Sequence, residues 1–221
     1  TNFLISISFI FTAPYIGSSV YYTLNRALIP FGLHHVLASL VRFTEAGGTY
    51  MLNGQEYVGI LNATNEILFN LGPTSEYWTQ LMPKLTSYLG GAQMLTTLFR
   101  VPAIGLAMYH TSYLKNRKIA KGVILTCCLT AFLGNITEPL EFSFLFISPA
   151  LFILYCVMCG IGLLPYQLLK ISIGYIRGTI FDFGIFGLLY ENTHWIGLVV
   201  LGIFNFIVFY FVFKWFILKF E

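Results

Sequence analysis

The chain has 221 residues, of which 57% are hydrophobic and 18% aromatic but only 10% charged. So little charge cannot tile a water-facing surface, which excludes a soluble globular enzyme, a disordered chain and a nucleic-acid-binding domain and leaves an integral membrane protein. The formal net charge of +3 is small and bears on topology rather than on an acidic partner.

The chain starts at Thr1 directly in an apolar segment, with neither a charged leader region nor a cleavage site. Residues 3–24 therefore read as a span rather than a signal peptide, and a start inside a span is expected of a fragment or a processed chain. Pro14 and Gly17 are its expected kink points. Past Arg26, residues 27–41 form an amphipathic stretch that carries His34-His35. Residues 42–93 are mixed and polar, too long for a simple loop, and are expected to hold structure of their own. Within them Asn53-Gly54 supplies the two positive-φ positions of a tight turn between β-rich arms, which predicts a β-hairpin over 48–59. Residues 65–71 and 77–89 read as short surface helices, split by Gly72-Pro73.

Residues 94–112 are apolar but interrupted by Arg100, Pro102 and His110, which makes a poor lipid-facing helix. Lys115, Arg117, Lys118 and Lys121 follow, the densest basic cluster, expected on the cytoplasmic side. The apolar run 122–134 is too short to cross about 30 Å of hydrocarbon as a helix. A further run, 144–164, has Pro149 inside it and Pro165 after it. Residues 171–194 are glycine-rich, with Arg177 and Asp182 in apolar surroundings, where pairing is the usual fate of charge. Arg100 and His110 are likewise read as structural. The last run, 195–213, is a clean span flanked by Lys214 and Lys219, which puts the C-terminus in the cytoplasm. All four cysteines, Cys127, Cys128, Cys156 and Cys159, lie in apolar runs. Without nearby His or Asp they read as small residues at helix contacts, not as a metal or redox site. The expected fold is an all-α polytopic membrane protein with re-entrant helical segments and a small β-hairpin in the 42–93 region.

The chemistry concentrates in 134–142. Gly134, Asn135, Ile136, Thr137, Glu138, Pro139 and Glu141 stand between two apolar half-length segments. Charge at membrane depth is costly unless it faces protein or a wet cavity. Pro139 removes a backbone donor, so the segment reads as a re-entrant tip where free backbone and side-chain groups meet a ligand, as in broken-helix transporter sites. His34-His35 is the second candidate. Adjacent histidines do not share one helix face, so they are expected to have different partners. The pair lacks metal-ligand spacing. Arg26 lies about two helical turns before His34, so both reach one cavity if the stretch is helical. Phe142, beside the acidic tip, is one example of an aromatic ring available for stacking on a ligand, and the sequence does not single it out from the other aromatics.

These segments carry a resemblance. GNITEPLEFSFLFISP (134–149) resembles the signature of the membrane-embedded enzyme IIC component of bacterial phosphoenolpyruvate-dependent sugar phosphotransferase systems, glucose superfamily. GLHHV (32–36) looks like the family's second hallmark. VRFTEAGGTYMLNGQEYVGILNA (41–63), VPAIGLAMY (101–109) and SIGYIRGTIFDFGIFGLLYENTHW (172–195) look most like its maltose/glucose branch. The resemblance implies a dimeric, multi-pass protein of the bacterial cell membrane that binds maltose or glucose near the bilayer midplane. It implies that a cytoplasmic enzyme IIB domain, charged on a cysteine, phosphorylates the sugar. The family's motif carboxylate falls on Glu138, as catalytic and substrate-binding group, with Asn135, Ile136 and Thr137 as tip contacts. Its histidine falls on His34, with His35 beside it, and an upstream basic position on Arg26. No cofactor, metal or nucleic acid is implied. The chain corresponds to the C-terminal, sugar-binding part of the transport domain, 1–221. The N-terminal half and the enzyme IIB domain lie outside it, and none of its cysteines sits in a donor motif, so phosphoryl transfer is expected only as part of the larger phosphotransferase. A non-catalytic sugar sensor and an ion-coupled symporter are the alternative readings.

Overall fold

The computed structural model describes residue 13 and residues 15–220. Residues 3–12 and Pro14, half of the predicted 3–24 span, lie outside the described residues; its second half enters helix α1 (Ile16–Ala27). Pro30 and Gly32, the latter at φ +69°, stop regular helix and turn the chain back into α2 (His34–Phe43). Asn25 Nδ2 donates to the His34 carbonyl at 3.1 Å, which fixes the start of α2 against the end of α1. The 27–41 stretch is therefore a helical corner and not one continuous helix.

Strands β1 (Thr49–Leu52) and β2 (Gln55–Val58) pair antiparallel, Thr49 opposite Val58 and Leu52 opposite Gln55. Asn53 and Gly54 take φ of +48° and +81°, as the predicted turn requires. Tyr50 and Leu52 face the core while Thr49 and Met51 face out. Helix α3 (Ile60–Asn65) runs on into a π-helical turn, Glu66–Leu71, ended by Gly72.

Helix α4 (Glu76–Tyr88) departs from the expected surface helix. Trp78, Met82 and Leu85, at i, i+4 and i+7, are each 0% exposed. Exposed Glu76, Thr79 and Gln80 cover its outer face and dilute the apolar signal in the sequence. Helices α5 (Gly90–Met94) and α6 (Val101–Thr111) are joined by a second π-helical turn, Leu95–Arg100. That turn carries Arg100 inward, where Nε donates to Asn205 Oδ1 at 3.0 Å and the guanidinium lies 5.3 Å from the Phe209 ring centre. His110 Nδ1 lies 2.8 Å from the Tyr210 hydroxyl. Both residues act in packing, as expected.

Helix α7 (Arg117–Gly134) begins inside the basic cluster rather than at the start of the 122–134 run. Arg and Lys are good helix formers and can keep their charged heads wet, so the helix gains a turn at its basic end. The 144–164 run is divided. Helix α8 (Glu138–Ile147) ends at Ser148 and α9 (Pro149–Ile161) starts at Pro149, which lacks a backbone donor and drives Ser148 to extended geometry. Gly160 of α9 lets that helix close on α1: an added Cβ would sit 2.0 Å from Thr23 Oγ1 and 2.7 Å from the Ser19 carbonyl oxygen. Helix α10 (Trp195–Phe220) packs along α6 and extends past the predicted span to include Lys214 and Lys219, whose ammonium groups lie over Tyr210 and Trp215. Among the described residues, two helical stretches are long and apolar enough to cross a membrane, Pro149–Leu168 and Trp195–Phe220. The cysteines are free thiols, with Cys156 and Cys159 in the core.

The expected Arg177–Asp182 side-chain pair does not form. Asp182 Oδ2 instead accepts backbone N–H groups of Ile176, at 3.1 Å, Arg177, at 2.7 Å, and Gly178. A glycine-rich loop exposes unpaired amides, and these satisfy the carboxylate ahead of the guanidinium.

Candidate functional site

Helices α7 and α8 form a helical hairpin, and its tip is made by local backbone rules. Asn135 closes α7 in the left-handed region at φ +56°, a conformation Asn tolerates, and its N–H bonds the Ala131 carbonyl at 2.9 Å. Its side-chain amide donates to Gln93 Oε1 at 2.9 Å. Thr137 precedes α8 and Pro139 sits in its first turn, where a missing N–H costs nothing. Glu138 and Glu141 both lie in that first turn, where the helix dipole favours negative charge.

The two carboxylates then part company. Glu141 is 1% exposed and pairs with Arg26, Nη1 to Oε1 at 2.9 Å. The Tyr155 hydroxyl donates to the same oxygen at 2.5 Å. Arg26 Nη1 also donates to Thr137 Oγ1 at 3.0 Å, and its guanidinium lies 4.7 Å from the Tyr22 ring centre. Sequence reasoning selected Arg26 and Thr137 and placed Glu141 in the acidic tip without a site role, and nothing local in the sequence ranks one carboxylate above the other.

Glu138 turns the other way, into a cavity of about 700 Å³. His34 Nε2 stands 3.7 Å from Glu138 Oε1, within ion-pair reach but beyond a direct hydrogen bond. Burial, with the charges of His35 and Arg26, pulls the His34 pKa below its ordinary value, while Glu138 opposes that shift. Both histidines line the cavity, their ring centres 4.0 Å apart, although only His34 stands beside Glu138. The first turn of α2 faces the cavity broadly enough to take in two adjacent positions. His34 Nδ1 and Glu138 Oε2 are buried and have no hydrogen-bond partner among the described residues. Unmet polar atoms of this kind are costly unless a ligand or water completes them.

Arg26, His34, His35, Asn135, Ile136, Thr137 and Glu138 all line this one cavity, with Phe142 beside them. The wall also holds residues that were not predicted, among them Arg42, Gln93, Tyr175 and Arg177. Arg42 was legible as the residue two helical turns after His34 on the same face of α2. The others come from distant segments and carry no local signal. Among the described residues no group of three or more His, Cys, Asp or Glu side chains is placed to hold a metal ion.

The family model for the phosphotransferase system EIIC component matches residues 1–160. The chain belongs to the phosphotransferase system EIIC family. It is 35% identical over 206 residues to the maltose-specific EIICB component of the Escherichia coli (strain K12) phosphotransferase system, an alignment covering 93% of this chain and 38% of the relative. It is 34% identical over 203 residues to the glucose-specific EIICBA component of Staphylococcus saprophyticus, covering 90% of this chain and 28% of the relative. This EIIC chain thus spans about a third of the length of these relatives. The matched region takes in both the His34 corner and the α7–α8 tip, whereas Tyr175, Arg177 and α10 lie beyond it.

Proposed function

We propose that this chain is the C-terminal, sugar-binding part of a phosphotransferase-system permease for maltose or glucose, resident in a bacterial cell membrane and crossing it several times. The α7–α8 hairpin acts as a re-entrant element, with its tip inside the protein. The observation that carries the reading is the cavity where Glu138 Oε2 and His34 Nδ1 stand without partners. A sugar offers hydroxyls that donate to the carboxylate and both donate to and accept from a neutral imidazole. Asn135, Ile136 and Thr137 shape the tip, Arg26 holds it in place, and His35 borders the mouth.

Chemistry follows from position. A bound hydroxyl held toward an opening can meet a phosphocysteine on an EIIB domain, so that its oxygen bonds to phosphorus as the sulfur–phosphorus bond breaks. The hydroxyl proton passes toward Glu138, which acts as the base. The relatives are named as EIICB and EIICBA components, which supports an EIIB partner. The working protein is a homodimer in the lipid bilayer.

Uptake by cells that express the complete gene product tests this reading. Maltose or glucose accumulating as its phosphate, dependent on phosphoenolpyruvate and abolished in Glu138→Gln, is the expected result. Free sugar accumulating in step with a proton or sodium gradient, or sugar binding with no uptake at all, would overturn it.

A further inference from the structure

Helix α2 forms one wall of the cavity. His34, Ala38 and Arg42 recur at i, i+4 and i+8 on one face of that helix, and all three line the cavity. At 1.5 Å per residue, His34 and Arg42 stand about 12 Å apart along the axis. One pyranose ring cannot touch both ends. Ala38 between them is small and leaves the wall open at mid-length.

The far end is built differently from the near one. Arg42 Nη2 donates to the Tyr175 hydroxyl at 2.9 Å, and its guanidinium lies 5.6 Å from the Tyr175 ring centre. Tyr175 is seated against Gly90, where an added Cβ would come within 2.7 Å of its Cδ2. Arg42 Nε is buried without a hydrogen-bond partner among the described residues. Arg177 joins this wall with an exposed side chain, because Asp182 is bonded to the loop backbone. Glu138 is the acidic residue in the described lining, and it sits with His34 at the other end. The far end therefore offers an aromatic face and guanidinium donors. These suit the ring face and the hydroxyl and ring oxygens of a second sugar.

We infer that the cavity takes a two-ring sugar, with the ring to be phosphorylated at His34 and Glu138 and the second ring at a subsite made by Arg42, Tyr175 and Arg177. The inference rests on the proposed sugar-binding function and goes further, in making this subsite the determinant of disaccharide over monosaccharide.

The test is the ratio of affinities for maltose and methyl α-glucoside, measured by titration calorimetry on the purified full-length protein. A ratio cancels any loss of folded protein. The wild type should prefer maltose at least tenfold. Arg177→Ala, on an exposed side chain, and Arg42→Ala should each lower that ratio at least threefold. Ala38→Phe, which fills the mid-length of the wall, should bring it close to one. A wild-type ratio near one, or a high ratio that none of the three substitutions lowers, overturns the subsite while leaving the proposed function standing. Failure to bind either sugar overturns both.

Discussion

Arg26 Nη1 lies 2.9 Å from Glu141 Oε1, and the two side chains are 7% and 1% exposed. With Tyr155 on the same carboxylate oxygen and Thr137 on the same guanidinium nitrogen, the pair joins α1, α8 and α9 at one point. It holds the α7–α8 tip against the end of α1 and leaves the neighbouring carboxylate, Glu138, to the cavity.

Glu141→Gln should therefore be a stability mutation. It leaves the Arg26 charge buried without its counter-charge, a loss that typically costs about 3–5 kcal/mol. Thermal unfolding in detergent should show a large fall in Tm. Pairing the change with Arg26→Met should recover much of it, because the orphaned charge goes with the arginine. A Glu141→Gln protein that melts like wild type would show the pair to be unimportant.

Glu138→Gln should behave in the opposite way. Its side chain is 31% exposed and its second oxygen has no partner, so little stability rests on it. A charge-assisted hydrogen bond to a hydroxyl is worth roughly 1.5–3 kcal/mol, so losing one weakens sugar binding about tenfold or more. His34→Ala should show a similar loss and His35→Ala, exposed at the rim, a smaller one. Binding isotherms on protein of unchanged Tm decide the matter: wild-type affinity in Glu138→Gln would remove Glu138 from the site.

Gly160→Ala should destabilise without touching the cavity. The added methyl meets Thr23 Oγ1 and the Ser19 carbonyl oxygen at distances no packed pair tolerates, so α9 must move off α1. Overpacking of this kind costs roughly 1–3 kcal/mol. A chemical or thermal unfolding midpoint equal to wild type would mean the helices are not in this close contact.

Sugar binding should weaken in acid through His34. Because burial lowers its pKa, the imidazole is neutral near pH 7. Charging it costs more in the folded protein than in the unfolded chain. Its contribution to stability is therefore intact above about pH 6.5 and declines as pH falls through the lower folded value. Once protonated, His34 is drawn to Glu138 Oε1, 3.7 Å away, and the carboxylate becomes less available to a hydroxyl. Affinity should be flat from pH 8 to 7 and fall as the pH drops below the ordinary histidine range. The His34→Gln protein, weaker throughout, should lose this acid limb; an unchanged limb would assign it to another group.

Local chemistry made part of this protein readable from its residues. The scarcity of charge points to a membrane protein, Asn53-Gly54 dictates a turn whose two positive φ values the fold adopts, and the polar Pro-containing break at 134–139 marks the tip that lines the cavity. Each is written in backbone preference or solvation and needs no distant partner.

Other features were settled only by tertiary packing. Glu138 and Glu141 stand three residues apart in the same first turn of α8, and no local rule says which is buried. The choice falls to Arg26, 115 residues before Glu141, and to Tyr155 on the next helix. The burial of α4, the meeting of Arg42 with Tyr175 across 133 residues, and the capture of Asp182 by its own loop are of the same kind. The sequence by itself determined where the chain turns and what must avoid water. Which charge faces a partner and which faces the cavity was decided only when distant helices closed on one another, because the free energy of a buried charge depends on the neighbours that packing brings to it.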